Sequence, residues 1–193
     1  MQYKKEAVRE SILNAATEEF FEKGYSGASM RDICRRAGTS VGNLYRYFEN
    51  REAVFSSVVG DMYEKVKYII AEKNFGTHEF SCIRDIARFF GDQLFRNYRE
   101  NAKKLLILLD KSEGSGYGDV KSHFSSLLAA RVRKEKFPGE ESKSVDFICN
   151  MIAGGALEAI YNIMRNDFSP EESMDLFERV LVFYFNDYNF DKV

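Results

Sequence analysis

The chain is poor in the residues that staple a fold or hold a metal. Its 193 residues include three cysteines, Cys34, Cys82 and Cys149. That number is odd, the three lie far apart and no C-x-x-C occurs, so neither a disulfide framework nor a zinc site is expected; buried, reduced thiols are the plain reading. His78 and His123 are the only histidines, and neither stands in a metal-ligand spacing. No Glu-x-x-His pair exists to hold a di-iron centre, which leaves an enzyme reading with little beyond the carboxylates of Asp110 and Glu158. Proline occurs twice, at Pro138 and Pro170, which permits long helices and disfavours a loop-rich β fold. No run alternates with period two for the length of a strand, and no Gly-rich phosphate loop follows one. The first ten residues, MQYKKEAVRE, contain no apolar run, so no signal peptide is expected. No enzyme, no cofactor and no metal is the expectation from these absences, and the cytoplasm is the expected location.

Apolar and aromatic residues are plentiful: 45% of the chain is hydrophobic, with 17 Phe and 11 Tyr. This argues against disorder. The length fits one domain or two small ones, burying roughly 70% of the surface of the unfolded chain. Phe147–Met164 reads FICNMIAGGALEAIYNIM, 18 residues with the single charge Glu158. It is long enough to span a membrane. Asn150, Glu158 and Asn162 interrupt it and no basic flank precedes it, so a buried helix and no membrane are expected. Net charge is −2 overall, but residues 23–51 hold six bases (Lys23, Arg31, Arg35, Arg36, Arg46, Arg51) against Asp32 and Glu49. A basic head on an acidic body suggests a polyanion as partner.

Helical periodicity runs nearly throughout. Val8, Ile12, Ala15, Ala16 and Phe20 form one stripe over 6–22, which Gly24 ends. Ser29 and Asp32 make a capping box, followed by Met30, Ile33, Cys34 and Ala37 at i, i+3, i+4, i+7. Gly38 stops this second helix. Ser40 opens a third, with Val41, Leu44, Tyr45 and Phe48 at the same spacing, and Asn50 opens a long fourth, 51–73. Further helices are expected near 79–97, 101–113, 119–136, 142–166 and 170–186, the last begun by Ser169-Pro170-Glu171-Glu172. The fold class is therefore all-α, with about nine helices.

The second and third helices, about eight residues each, meet at a tight turn over Gly38-Thr39, the helix-turn-helix arrangement. With Val41, Leu44 and Phe48 inward, the third helix turns Thr39, Gly42, Asn43 and Arg46 outward, flanked by Tyr45 and Tyr47. Gly42 admits a close backbone approach, Asn43 and Arg46 can reach base edges or phosphates, and tyrosine hydroxyls can bond phosphate oxygens. Ser29 and the N–H groups at the start of the second helix offer a phosphate site. Spacing alone leaves a second reading open: a helical ligand-binding or interaction protein whose hairpin never meets DNA.

Residues 24–52, GYSGASMRDICRRAGTSVGNLYRYFENRE, go further. Gly24-Tyr25, Ser29, Asp32, Ala37-Gly38, Thr39-Ser40, Leu44-Tyr45-Arg46-Tyr47-Phe48 and Asn50-Arg51-Glu52 occur in an order and spacing that resemble the TetR family of bacterial transcriptional repressors. The resemblance covers about the first 60 residues. It implies Ser29, Thr39, Asn43, Tyr45, Tyr47 and Arg51 as phosphate or base contacts, and Ser40, Gly42 and Arg46 complete the candidate set. Two positions depart from the family pattern: Tyr47 stands where His is frequent, and Glu49 where a base is frequent. The resemblance also implies a head at 1–48, a C-terminal dimerisation and effector domain at 49–193, a homodimer on an inverted-repeat duplex operator, and release by a small molecule.

Two features of the body bear on this independently. Val180–Phe185 (VLVFYF) is apolar all round inside a terminal helix, and a second chain is a natural cover for it. Leu105–Leu109 (LLILL) reads as central. Asp110, Glu113 and Tyr117 at its end are candidates for a cavity mouth. Phe89, Phe90, Phe95, Tyr98, Phe124 and Tyr161 supply aromatics for a pocket or a core. Glu158 shares a face with Met151, Gly155 and Asn162 in the most apolar stretch. A buried carboxylate there needs an internal partner or a cationic ligand. The expected effector is largely apolar or aromatic.

Overall fold

The computed structural model describes residues 2–71, 82–95, 98–166 and 168–185. Over them the chain is all-helical, without a strand: α1 (Gln2–Gly27), α2 (Met30–Arg36), α3 (Val41–Leu44), α4 (Arg51–Ala71), α5 (Ile83–Phe95), α6 (Tyr98–Asp110), α7 (Val120–Lys136), α8 (Lys143–Arg165) and α9 (Pro170–Phe185). The expected helix ends at 72–73, 79–81, 96–97 and 186 lie outside the described residues, as do His78 and the side chains of Phe95 and Tyr98. By packing, the helices divide into two compact units, Met1–Val66 with Lys103–Lys121, and Lys67–Ala102 with Ser122–Val193.

In the first unit, Ile12, Ala16 and Phe20 of α1 are fully buried, as are Ile33 of α2, Leu44 of α3 and Val54 and Phe55 of α4. Phe20, Tyr25 and Phe55 form its aromatic centre, with Phe55 edge-on to Phe20 at 4.9 Å and to Tyr25 at 5.1 Å. Gly24 breaks α1 with a left-handed φ of 71°, which glycine adopts without steric cost. The break frees the Tyr25 N–H to donate to the Lys111 carbonyl at 2.7 Å, tying the end of α1 to the segment after α6. The Gly114–Gly118 loop reinforces that tie. Ser26 Oγ donates to the Glu113 carbonyl at 2.6 Å, and the Gly116 N–H donates to Glu52 Oε1 at 3.0 Å. Packing thus groups the first part of α4 and the end of α6 with the first three helices.

In the second unit α9 packs on α5 and α8. Gly91 leaves room for Met174, and Arg84 and Arg88 pair with Glu178 at 3.4 and 3.3 Å. α8 buries one face, Val145, Cys149, Ala153, Ala156 and Tyr161 among it, and leaves Phe147, Ile148 and Met151 exposed. The expectation of a wholly buried helix over Phe147–Met164 is corrected accordingly: its length and composition would allow a membrane span, but the helix is amphipathic within this unit. None of Val180–Phe185 is buried, and Phe183 is 68% exposed. Burial pushes the thiols of Cys34 and Cys149 up, whereas Cys82 is exposed, against the expectation of buried thiols throughout.

Candidate nucleic-acid interface

Ser29 caps α2, its Oγ accepting from the Asp32 N–H at 3.4 Å, which is one half of the expected capping box. The Ser29 N–H, counted from sequence among the groups free for a phosphate, instead donates to Glu19 Oε1 at 3.3 Å. What Ser29 keeps for an external acceptor is its hydroxyl hydrogen. Between α2 and α3 the chain turns at Gly38, whose φ is 64°.

Ser40 caps α3 and accepts from the Asn43 N–H at 3.2 Å. α3 proper is four residues, not about eight. Beyond Leu44 the chain continues as turns through Tyr47, with Arg46 N–H to the Asn43 carbonyl and Tyr47 N–H to the Leu44 carbonyl closing tighter i, i+3 rings. Leu44 and Phe48 are buried as expected, but Val41 is 37% exposed, because the first residue of so short a helix has no turn before it to fold under. Thr39, Gly42, Asn43 and Arg46 occupy the outer side, with Tyr45 half exposed beside them. Asn43 Nδ2 donates to Thr39 Oγ1 at 2.8 Å, which fixes the amide and leaves its oxygen and one N–H to read a base edge. A Cβ on Gly42 would meet nothing within 4 Å, so this backbone stands open to a ligand surface. The Arg46 side chain has no ion pair or hydrogen bond among the described residues. Tyr47 is half-buried.

Asn50 Oδ1 accepts from the Ala53 N–H at 2.9 Å and so starts α4. One residue on, the Arg51 guanidinium lies 4.2 Å over the buried Tyr25 ring. That contact orients Arg51 while leaving its N–H edge unspent. Glu49 is exposed, with no ion pair among the described residues.

The basic window is less free than its composition suggests. Lys23 Nζ binds Glu19 Oε1 at 2.7 Å and Asp32 Oδ2 at 3.0 Å; Arg35 binds Asp32 at 2.8 Å; Arg36 binds Glu22 and lies 3.2 Å from Glu19 Oε2. Hydrogen bonding to Glu19 and Asp32 raises the Lys23 pKa, and the bond from Lys23 lowers that of Asp32. The Arg36 bond lowers Glu22, and Arg36 is raised in turn. Residues 1–50 contain eight bases and seven acids. Glu19 and Glu22 lie outside residues 23–51, and Glu19, which has no exposed surface, is not among the residues that the sequence pattern marks. Its signal was present: Glu19 follows Ile12 by seven and Ala15 by four, on the apolar stripe, with Lys23 four residues on.

The effector candidates fall into different compact units. Asp110 accepts from Lys121 Nζ at 3.0 Å, Glu113 is exposed, and Tyr117 packs on Phe55 and Tyr63 in the first unit. Glu158 is exposed, not buried, and its Oε1 accepts from Asn162 Nδ2 at 3.0 Å. The space beside Gly155 is filled: a Cβ there would lie 2.7 Å from Tyr184 Oη. The reading of Glu158 as a buried carboxylate is corrected by these contacts.

Known proteins resemble the chain in two ways. Residues 12–58 match the family model for bacterial regulatory proteins of the tetR family. The HTH-type transcriptional regulator UidR of Escherichia coli K12 is 41% identical over 59 residues, 31% of this chain and 30% of UidR, so the chain matches under a third of that relative's length. Solved structures extend the likeness of fold to the body. A TetR regulator from Streptomyces coelicolor, SCO3833, aligns with a TM-score of 0.65 at 16% identity, covering 91% of this chain and 89% of that one. A regulator from Aquifex aeolicus VF5 aligns at 0.59 with 22% identity, covering 92% and 99%. In sequence, the fatty acid metabolism regulator protein of Bacillus subtilis 168 is 33% identical over 145 residues, 63% of this chain and 75% of that protein. A helix pair matched in detail and a likeness that runs on through most of a whole relative have one common explanation: this chain belongs to the TetR family of bacterial regulatory proteins.

Proposed function

We propose that the protein is a cytoplasmic transcriptional repressor that binds an inverted-repeat operator as a homodimer and leaves it when a small molecule fills the body. Residues 1–48 are the DNA-binding part and 49–193 the dimerisation and sensing part. The observation that carries the reading is the outer side of α3, where Thr39, Gly42, Asn43 and the unpaired Arg46 face away from the packed core. Ser29, Ser40, Tyr45, Tyr47 and Arg51 flank it as phosphate contacts, Asn43 reads a base edge, and Arg46 reaches a phosphate.

A homodimer is supported by the uncovered apolar residues of α8 and α9, Phe147, Ile148, Met151 and Phe183. A two-fold pair of such faces covers itself, and two copies of α3 then meet the duplex about 34–36 Å apart. For the effector, an apolar or aromatic molecule accords with the name of the Bacillus relative, which refers to fatty acid metabolism. Coupling runs along α4, whose residues up to Val66 belong to the first unit and whose last turn belongs to the second. There Arg131 of α7 donates to the Ile69 and Ile70 carbonyls at 3.0 and 3.3 Å.

Selection of duplexes from a random-sequence library tests the proposal. The protein should enrich an inverted repeat, and Asn43→Ala should cost about 1–3 kcal/mol on that site and relax preference at one position per half-site. No enrichment over the input library would overturn the assignment of α3 as the reading element and favour a helical ligand-binding protein.

A further inference from the structure

The head contains one acid that is wholly shielded from water, Glu19 in the middle of α1. A buried carboxylate is costly unless each oxygen is answered by a charge or a donor. Oε1 accepts from Lys23 Nζ at 2.7 Å and from the Ser29 N–H at 3.3 Å. Oε2 has no hydrogen bond; what faces it is the Arg36 guanidinium, with Nε at 3.2 Å. Lys23 and Arg36 are themselves partly withdrawn from solvent, with 40% and 33% of their side chains exposed, so water and salt screen these pairs less than ordinary surface pairs. Each cation has a second acid, Asp32 for Lys23 and Glu22 for Arg36, which joins α1 to α2 in an alternating chain of charge.

Swinging Arg36 out to a phosphate would leave the buried Oε2 unanswered, and swinging Lys23 out would leave Oε1 with the Ser29 N–H alone and no charge beside it. A phosphate on the surface of a duplex, bathed in counterions, competes poorly with that. We infer that Glu19 is a positioning residue for DNA binding: it holds Lys23 and Arg36 in the α1–α2 contact and leaves the phosphate work of residues 23–51 to Arg31, Arg35, Arg46 and Arg51. The side chains of Arg31 and Arg46 have no partner among the described residues, and Arg35 is held only by a surface pair, its side chain 76% exposed. The same acid takes the Ser29 N–H, so α2 is fixed on α1 at its first and last turns together. The inference rests on the DNA-binding reading above.

The salt dependence of binding separates cations that meet phosphates from cations that do not. Each phosphate contact contributes about 0.9 to the slope of log affinity against log salt. On the duplex that the unmodified protein selects, Arg46→Gln in a two-headed complex should flatten the slope by roughly two units. Affinity lost between 50 and 200 mM salt then shrinks about tenfold, with the melting temperature unchanged. Lys23→Gln should do the opposite: an unchanged slope and a melting temperature lowered by several degrees. Glu19→Gln keeps the volume of the side chain and removes its charge, so Lys23 and Arg36 become available and the slope steepens by roughly two to four units. A slope flattened as much by Lys23→Gln as by Arg46→Gln would overturn the inference, as would a Glu19→Gln protein with an unchanged slope. If Glu19→Gln does not fold, the crossed behaviour of Lys23→Gln and Arg46→Gln decides alone. Absence of any salt-dependent binding by the unmodified protein overturns the DNA-binding reading instead, a result distinct from these.

Discussion

The two compact units close their surfaces by different means. In the first, Phe20, Tyr25 and Phe55 of α1 and α4 form an aromatic centre, and Glu19, Glu22 and Asp32 pair with Lys23, Arg35 and Arg36 across α1 and α2, while Arg31, Arg46 and Glu49 carry no ion pair among the described residues. In the second, α8 and α9 pack on each other and still expose Phe147, Met151 and Phe183, each more than 60% accessible. Among its described residues the first unit exposes large apolar side chains only at Phe21, Val41 and Tyr45, none beyond 50%, and it presents charged and hydrogen-bonding groups beside them. The second has apolar surface left over. On the proposed function, the polar partner would meet the first of these surfaces and a second copy of the chain the other.

That contrast can be broken most forcefully at Phe183. Phe183→Glu should leave a monomer by light scattering and weaken operator binding by about two to four orders of magnitude, since the two heads are no longer linked. A dimer that survives the substitution places the self-association surface elsewhere. Next in size is Phe55→Ala, which removes a fully buried ring from the first unit and should cost about 3–5 kcal/mol in denaturant unfolding. Gly114→Ala is smaller. It forces an alanine to a φ of 84° with its Cβ 2.8 Å from Ser26 Oγ, and about 1–3 kcal/mol of lost stability is expected. The smallest effect sharpens the comparison. In the monomeric Phe183→Glu background, Phe147→Ala should change stability by no more than about 0.5 kcal/mol, because the ring is 67% exposed in the single chain. A cost near that of Phe55→Ala would mean that Phe147 packs within its own chain.

Much of the first unit was legible in the sequence, because local chemistry decides it. Ser29, Ser40 and Asn50 cap helices where the capping rules put them, and Gly24 and Gly38 supply the positive φ their turns need. The length of α3 was not, since apolar spacing at 41, 44 and 48 continues through turns as readily as through a helix. Glu19 was missed because a carboxylate on an apolar stripe is recognised only once the cations that answer it are in place, and Arg36 comes from another helix. Glu158 failed for the converse reason. Hydrophobic residues around it in sequence do not enclose it in space when a helix turns them to two faces, one packed and one bare.

The anchored loop after α6 has a consequence for where the chain tolerates added length. Between Lys111 and Gly116 three groups are committed to residues of α1 and α4: the Lys111 carbonyl, the Glu113 carbonyl and the Gly116 N–H. An insertion of even one residue there shifts the frame of those anchors and pulls on the turn at Gly24. The connection after α7 is different. There Arg133 Nη2 donates to the Glu140 carbonyl and the Glu140 N–H to the Phe137 carbonyl, both local bonds; Pro138 and Gly139 are exposed, and a Cβ on Gly139 would meet nothing within 4 Å. A peptide tag or a whole reporter domain threaded in after Gly139 should leave the fold intact, whereas the same graft after Ser115 should not.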